Sequence, residues 1–130
     1  MKLLPDTSVW VDYLREGASG AAAALDRYLE EESVLVCGPV LAELLAGTAS
    51  DRRDDLWLAL GNLPWAELDH AGWRRAGEIG HDLRRSGRSV PLTDVVIAVA
   101  CVRVGASLWT WDRDFDAIRD VLPELELYAP

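Results

Sequence analysis

Two periodicities of hydrophobic and polar positions alternate along the chain. Short apolar runs typical of buried strands are separated by longer segments in which apolar residues recur every three or four positions, as in amphipathic helices. The predicted strands lie in KLLPD, SVLVC, WAEL, SLWTW and LELY. The predicted helices lie in TSVWVDYLR, AAAALDRYLEEE, GPVLAELLAG, DRRDDLWLALGNL, DHAGWRRAGEIGHDLRRSG, PLTDVVIAVACVRVG and DRDFDAIRDVL. This alternation predicts an α/β fold with three αβα layers, in which a central parallel sheet of four to five strands carries helices on both faces.

Polar residues that favour helix starts mark several of the predicted helix boundaries. Thr7 or Ser8 is expected near the cap of the first helix, and Asp51 is expected to cap DRRDDLWLALGNL. Thr93 or Asp94 is expected near the cap of the apolar helix in PLTDVVIAVACVRVG. These side chains accept hydrogen bonds from the free amides of a first helical turn.

Length and composition limit the number of domains. With 130 residues, half of them hydrophobic and 27% charged, the chain is expected to form a single globular domain over residues 1–130. No window approaches the roughly 18 consecutive apolar residues of a membrane span, and the N-terminus is unlike a secretory signal. We therefore expect no membrane association and a cytoplasmic location. Cys37 and Cys101 lie in apolar runs and are expected to be buried free thiols.

The balance of charge restricts how the chain can meet a polyanion. Thirteen basic residues against 22 acidic residues leave a formal net charge of −9, opposite to that of a domain that binds nucleic acid through its surface field alone. Five arginines nonetheless cluster in WRRAGEIGHDLRRSGR: Arg74, Arg75, Arg84, Arg85 and Arg88. They form either a solvated helix face or an edge that follows phosphates, for which the guanidinium fork is well suited.

Acidic residues interrupt apolar segments in four parts of the sequence. Asp6 ends the first predicted strand, Asp112 directly follows SLWTW with Asp114 two residues on, and Asp94 begins an apolar helix. Glu43 is the only charge in GPVLAELLAG. Each has a purely structural explanation, as a helix cap or as the partner of an arginine. Together they predict a divalent cation site outside the carboxyl ends of the strands, since an unpaired buried carboxylate is costly and hard cations take oxygen ligands.

Four motifs in this order resemble a known family. DTSVWVDYLR, the Glu of PVLAELLAG, PLTDVVIAVA and LWTWDRDFDAI resemble PIN-domain ribonucleases, above all the VapC-type toxins of bacterial and archaeal toxin–antitoxin pairs. The resemblance spans essentially the whole chain. Two positions depart from the family pattern: Pro5 stands where an aliphatic residue is usual and is expected to make the first strand irregular, and Trp111 is bulkier than expected beside the pocket. Neither departure touches an acid.

The resemblance assigns residues to roles. The implied catalytic acids are Asp6, Glu43, Asp94 and Asp112. The implied ligands for one or two Mg²⁺ or Mn²⁺ ions are Asp6, Asp94, Asp112 and Asp114, with Asp112 and Asp114 as rivals for the fourth acidic position. The implied substrate-binding residues are Ser8, Thr110, Arg84, Arg85, Arg88 and Arg113. Replacing Asp6 or Asp94 with Asn is expected to abolish cleavage and to leave the metal-free fold intact or more stable, because repulsion is relieved.

The resemblance also implies partners. These are an RNA substrate, a second copy of the chain in a homodimer, and a cognate VapB-type antitoxin whose C-terminal segment covers the acidic groove. We expect the antitoxin to contact the helices around residues 21 to 62.

Three alternatives define what would contradict this interpretation. A phosphoacceptor receiver domain requires a lysine after a late strand, whereas Lys2 is the only lysine. A phosphatase of the haloacid dehalogenase kind requires a second aspartate where the chain has Ser8. A catalytically inactive PIN-like binding module remains the third alternative.

The tryptophans and histidines are expected to lie outside the chemistry. Trp10, Trp109 and Trp111 are predicted to pack in or near the core, and the other three tryptophans include candidate interface anchors. His70 and His81 lie among charged neighbours on the longest predicted helix and are expected to be exposed.

Overall fold

The computed structural model describes all 130 residues, which form seven α-helices and four β-strands, with two α-helices after each of the first three strands and one after the last. The strands are β1 (Leu3–Pro5), β2 (Val36–Cys37), β3 (Trp65–Ala66) and β4 (Ser107–Trp109). The helices are α1 (Thr7–Glu16), α2 (Leu25–Glu30), α3 (Gly38–Ala46), α4 (Arg53–Gly61), α5 (His70–Arg85), α6 (Leu92–Arg103) and α7 (Asp114–Val121). Short 3-10 helices cover Gly17–Ser19 and Ser50–Arg52.

All strand pairings are parallel. β1 pairs with β4 and β2 with β3, and a bridge between Leu3 and Val34 joins the two pairs. A further bridge between Leu108 and Leu127 adds the C-terminal segment, so the spatial order is β3, β2, β1, β4 and the segment at Leu127. The predicted parallel sheet is confirmed, although the predicted last strand is reduced to this single bridge. The carboxyl ends of the strands therefore meet at one edge, where the predicted acids lie.

Pro5 does not interrupt the first strand. It is in register with Trp109 of β4, and the amide of Asp6 donates to the Trp109 carbonyl at 2.9 Å. Proline lacks a donor, but the next amide continues the ladder. The expected irregularity of β1 is therefore absent, and Asp6 is delivered directly beside the end of β4.

A continuous hydrophobic core surrounds α6. Residues 95 to 101 of this helix are all buried, and α6 packs against α3, α5 and α7, as expected for a helix that is apolar on every side. Trp10 and Trp109 are buried as predicted. Trp111 is 40% exposed but packs edge-on against Trp109, with ring centroids 5.8 Å apart, so it lies near the core as predicted. No helix of the chain has both the length and the apolar content that a membrane span requires.

Both cysteines are buried and unpaired, which confirms the prediction. Burial raises the pKa of the Cys37 thiol to about 11 and that of Cys101 to about 12. Both thiols are therefore protonated at neutral pH and are poor nucleophiles.

Several predicted helix starts were wrong. The α4 helix has Arg52 at its N-cap, because Asp51 belongs to the preceding 3-10 turn. The α6 helix has Pro91 at its N-cap, so Thr93 and Asp94 lie inside its first turn and cap nothing. Asp94 is thus left without a structural role at the helix terminus.

The second helix is shorter than its alanine-rich sequence predicts. Residues 21 to 24 form turns with hydrogen bonds between positions i and i+3, and only residues 25 to 30 are helical. Helix propensity is a weak prior that a local turn can override.

Candidate active site

Three carboxylates converge at the carboxyl edge of the sheet. Asp94 lies in the first turn of α6, Asp112 lies in the loop after β4, and Asp114 is the first residue of α7. One carboxylate oxygen from each residue lies within 4.8 Å of the corresponding oxygens of the other two. The fold thus brings together acids that are up to 20 positions apart in sequence.

The pKa of the Asp94 carboxyl group is raised well above its ordinary value. Burial is the largest cause, followed by the charges of Asp112, Asp114, Glu43 and Asp6, and together they raise the pKa of Asp94 to about 7. Like charges at short range disfavour the ionised form. A bound cation would remove this repulsion, which is a property expected of a metal site.

Asp6 is the only charged side chain in the buried interior and is 5% exposed. Its Oδ1 accepts hydrogen bonds from Ser8 Oγ at 2.5 Å and from the Val9 amide at 3.2 Å, and its Oδ2 accepts one from Thr110 Oγ1. The Val9 bond makes Asp6 the N-cap of α1 in place of Thr7 or Ser8, which is the structural role that the sequence allowed for Asp6. Burial raises the pKa of Asp6, and these hydrogen bonds oppose the rise. Asp6 lies outside the group of three mutually close carboxylates, and its predicted roles as metal ligand and catalytic acid stay predictions.

The hydroxyls of Ser8 and Thr110 are both engaged. Each donates its hydrogen to Asp6, and each accepts a main-chain amide, Trp111 N at 3.2 Å for Ser8 and Asp112 N at 2.9 Å for Thr110. A hydroxyl has one hydrogen to donate, and a phosphate oxygen needs a donor. Neither side chain is therefore poised to bind phosphate in this geometry, and their predicted role in substrate binding stays a prediction.

Glu43 approaches the same site from α3. It is exposed, and its Oε1 accepts a hydrogen bond from Thr7 Oγ1 at 3.1 Å. It forms no ion pair with an arginine, which excludes the structural explanation considered from the sequence. The sequence prediction missed Thr7. The signal that would have found it is its place directly after Asp6 in the first turn of α1.

Arg88 is tied to α7. Its Nη1 donates to Asp120 Oδ2 at 2.7 Å and to the Ala117 carbonyl at 3.1 Å. The loop that leads into α6 is thereby fastened to α7. Arg88 therefore has fewer free donors for an RNA phosphate than the sequence implied.

The other three candidate arginines are exposed and form no ion pair. Arg113 lies between Asp112 and Asp114 in the chain and precedes α7, and Arg84 and Arg85 belong to the last turn of α5. Their predicted contact with substrate stays a prediction. His70 and His81 are exposed, as predicted, and are not part of the acidic group.

The donor chemistry of the acidic group fits a hard divalent cation. Asp94, Asp112 and Asp114 offer carboxylate oxygens alone, with no thiolate or imidazole among them. Such ligand sets suit Mg²⁺ and Mn²⁺ rather than zinc or copper. Burial and, after it, the charges of neighbouring acids raise the pKa of Asp94, and a cation held by these carboxylates would offset both causes.

Sequence comparison connects this site to proteins of known type. The model of the PIN domain matches residues 3–121 of the chain. The VapC ribonuclease Mb1587 of Mycobacterium bovis is 37% identical over 121 residues, which are 89% of this chain and 90% of that protein. Ribonuclease VapC11 of Mycobacterium tuberculosis matches with the same identity and coverage.

Solved structures share the fold over nearly the whole chain. VapBC2 from Rickettsia felis, bound to a DNA fragment from its promoter, superposes with a TM-score of 0.76 at 20% identity and covers 98% of each chain. VapBC-5 from Mycobacterium tuberculosis superposes with a TM-score of 0.67 at 23% identity and covers 100% of each chain. These similarities confirm the predicted α/β fold class.

Proposed function

The chain belongs to the PIN-domain family, and on that premise we propose that it is a divalent-metal-dependent endoribonuclease that acts as the toxin of a toxin–antitoxin pair. The observation that carries the proposal is the convergence of Asp94, Asp112 and Asp114 within 4.8 Å at the carboxyl edge of the sheet. Relatives that share 37% of their residues with this chain are VapC ribonucleases, which supports RNA as the substrate.

Asp94, Asp112 and Asp114 would hold one or two Mg²⁺ or Mn²⁺ ions. When bound, such an ion supplies Lewis-acid stabilisation of phosphate charge and activates water for attack on phosphorus. The protein's part is to keep three carboxylates together against their repulsion and to leave the site open to solvent on the side of Asp112, which is exposed. The buried Asp6 carboxylate accepts hydrogen bonds from Ser8 and Thr110.

Glu43 would orient the attacking water or take up its proton. Its Oε1 is held by Thr7, which leaves Oε2 free to accept a hydrogen bond. Glu43 is exposed, yet its charge is among those that raise the pKa of Asp94, so its carboxylate lies within electrostatic reach of the acidic group. A carboxylate within electrostatic reach of the acidic group is a candidate for the general base.

Local positive charge would guide RNA to a protein whose net charge is −9. A metal ion makes the acidic pocket attractive to phosphate. Arg113 is the arginine nearest in sequence to the ligand acids, and Arg84 and Arg85 add exposed guanidinium groups. We infer that Arg113 contacts the scissile region and that the other two contact flanking phosphates.

A cognate VapB-type antitoxin would occupy the cleft between α1, α3 and α4. Two adjoining cavities of about 230 and 320 Å³ share Leu14 and Thr48, and the first also reaches Glu43. Leu14 is 52% exposed. An apolar segment bound here would bury this side chain and end beside Glu43 of the active site. The solved VapBC complexes that share the fold support such a partner.

A homodimer completes the proposal. Trp65 and Trp73 are exposed and line an apolar groove of about 230 Å³ together with residues of α3 and α6. Exposed aromatic side chains of this kind are typical interface anchors. Analytical ultracentrifugation of the wild-type protein and of Trp73→Arg measures the oligomeric state. We expect a dimer for the wild type and a shift to monomer for the variant.

The decisive experiment is cleavage of total cellular RNA by the purified protein without antitoxin. We expect discrete fragments with Mg²⁺ or Mn²⁺ and none with EDTA or with Asp94→Asn. The matched control is Asp82→Asn, because Asp82 is an exposed acid on α5 with no side-chain hydrogen bond, and its variant should cleave normally. Absence of cleavage by the folded wild-type protein with both metals, together with absence of metal binding by calorimetry, would favour a binding module without catalysis.

A further inference from the structure

The loop between β4 and α7 takes its shape from side-chain acceptors. It carries Asp112 and Asp114, two of the three clustered acids. The amide of Trp111 donates to Ser8 Oγ, the amide of Asp112 to Thr110 Oγ1, and the amide of Asp114 to Asp112 Oδ1 at 2.9 Å. Bonds from a hydroxyl or carboxylate to an amide two residues on are local turns that fix a short loop.

Two of these three bonds lead back to one carboxylate. Ser8 Oγ donates to Asp6 Oδ1, and Thr110 Oγ1 donates to Asp6 Oδ2. Each hydroxyl therefore links Asp6 to one amide of the loop. Asp6 itself is immobilised, because it is 5% exposed, caps α1 through Val9, and follows the β1 residue that pairs with Trp109.

We propose that Ser8 and Thr110 are positioning residues, through which the buried Asp6 carboxylate holds the loop of residues 110 to 114 so that Asp112 and Asp114 meet Asp94. One bridge runs from Asp6 through Ser8 Oγ to the Trp111 amide, and the other runs from Asp6 through Thr110 Oγ1 to the Asp112 amide. We call these two bridges the hydroxyl relay. This inference rests on the proposed function, since it explains how that site is assembled.

The number of lone pairs supports this role for Asp6. A carboxylate has about four acceptor positions. Oδ1 uses two of them, for Ser8 and Val9, and Oδ2 uses one for Thr110. Three of the acceptor positions of Asp6 therefore take part in hydrogen bonds within the fold, and one remains for the pocket. Asp94, by contrast, accepts no hydrogen bond, so both of its carboxylate oxygens are free.

Amide hydrogen exchange tests the relay in the metal-free protein. In Ser8→Ala the amide of Trp111 should exchange about tenfold faster while that of Asp112 is unchanged, because one hydrogen bond of ordinary strength is lost. In Thr110→Val the reverse pattern is expected. Thr110→Ser keeps the hydroxyl and should restore slow exchange at Asp112. Unchanged exchange at both amides would overturn the relay, whatever the protein does with metal.

Metal binding tests the positioning. Calorimetric titration with Mn²⁺ should show affinity about 10- to 100-fold weaker for Thr110→Val, as for other groups that orient metal ligands, and near the wild-type value for Thr110→Ser. Thermal unfolding with EDTA establishes that each variant is folded. Faster exchange at Asp112 with wild-type Mn²⁺ affinity would overturn the inference, because the loop would then be ordered by the relay without positioning the ligands.

Failure of the inference is distinguishable from failure of the proposed function. Absence of Mn²⁺ binding by the wild-type protein would overturn the proposed metal site, and the positioning claim with it. Normal Mn²⁺ binding and RNA cleavage by both Ser8→Ala and Thr110→Val would overturn the inference alone.

Discussion

Thr7 Oγ1 donates a hydrogen bond to Glu43 Oε1 at 3.1 Å, and this bond joins the first turn of α1 to α3. Thr7 directly follows Asp6, whose carboxylate faces Ser8 and Thr110 instead. Two successive residues therefore hold different parts of the acidic site. An exposed glutamate would otherwise sample many rotamers, so the bond reduces the entropy lost when Glu43 meets its substrate.

Removal of the Thr7 hydroxyl should slow cleavage without unfolding the protein. In Thr7→Val we expect the turnover rate to fall about three- to tenfold and the free energy of unfolding to change by about 1 kcal/mol or less, since one solvent-accessible hydrogen bond is lost. Single-turnover cleavage of a defined RNA measures the rate, with Thr7→Ser as the control that keeps the hydroxyl. Equal rates for Thr7→Val and wild type would show that Thr7 does not orient Glu43.

Asp94→Asn and Asp6→Asn should have opposite effects on the stability of the metal-free protein. Asn at position 94 removes a charge that is repelled by neighbouring acids, and we expect a higher free energy of unfolding. Asn at position 6 has one acceptor oxygen in place of two, and we expect a loss of about 1–3 kcal/mol because buried donors lose their acceptor. For Asp94→Asn this prediction agrees with the expectation from the sequence, whereas for Asp6→Asn the hydrogen bonds of the folded structure lead us to predict the opposite sign.

Urea unfolding at pH 7.5 in EDTA measures both free energies. Both variants should have lost RNA cleavage. Stabilisation by Asp6→Asn would contradict the account of the Asp6 hydrogen bonds, and destabilisation by Asp94→Asn would contradict the repulsion among the acids.

The stability of the metal-free protein should fall as the pH rises from about 4 to 7. Asp94 titrates near its ordinary value of 3.8 when unfolded and near 7 when folded. Between these values the folded protein holds a proton that the unfolded chain has released, so the free energy of unfolding decreases with pH and levels off above 7. We expect a change on the order of 1–2 kcal/mol after solvent screening. Asp6, whose pKa is also raised, contributes with the same sign.

Chemical unfolding at several pH values, with Asp94→Asn as the control, isolates this contribution. The wild-type curve minus the variant curve should slope downward between pH 4 and 7. A difference curve independent of pH would contradict the raised pKa of Asp94. Mn²⁺ affinity should rise over the same range, because the ion competes with the proton on Asp94.

Metal addition should stabilise the folded protein and identify which acids bind it. A ligand at a hundred times its Kd adds about 2.7 kcal/mol to the free energy of unfolding. We expect Mn²⁺ to raise the Tm and EDTA to reverse the rise. Asp112→Asn and Asp114→Asn, compared with Asp116→Asn on the same helix, should reveal which of the two carries more of the effect. A full Tm shift in both would contradict the proposed ligand set.

RNA binding should distinguish Arg113 from Arg88. The slope of log affinity against log salt should become shallower by about 1 in Arg113→Gln if this side chain contacts a phosphate. Arg88→Gln should leave the slope nearly unchanged, because Arg88 already pairs with Asp120 at 2.7 Å. Filter binding with Asp94→Asn as the inactive background measures both. Equal slopes in wild type and Arg113→Gln would remove Arg113 from the interface.

The fold class and the positions of the acids followed from local features of the sequence. Alternating strand and helix periodicities require no knowledge of distant contacts, and acids at strand ends are visible as breaks in apolar runs. The sequence alone therefore predicts Asp94, Asp112 and Asp114 as candidate site residues. The same local reasoning misplaced the starts of α4 and α6, because Asp51 and Thr93 resemble caps while Arg52 and Pro91 occupy the N-cap positions.

Only the tertiary structure decided how those acids are used. The pairing of β1 with β4 places Asp6 beside Thr110, which is 104 residues away, and no periodicity reports that distance. The same holds for the bond between Thr7 and Glu43 and for the pairing of Arg88 with Asp120. Strand register and helix packing are non-local, so the sequence by itself determined which residues were available for chemistry. The folded structure decided which carboxylates converge. It also decided that the Asp6 carboxylate accepts hydrogen bonds from side chains and a main-chain amide of the fold.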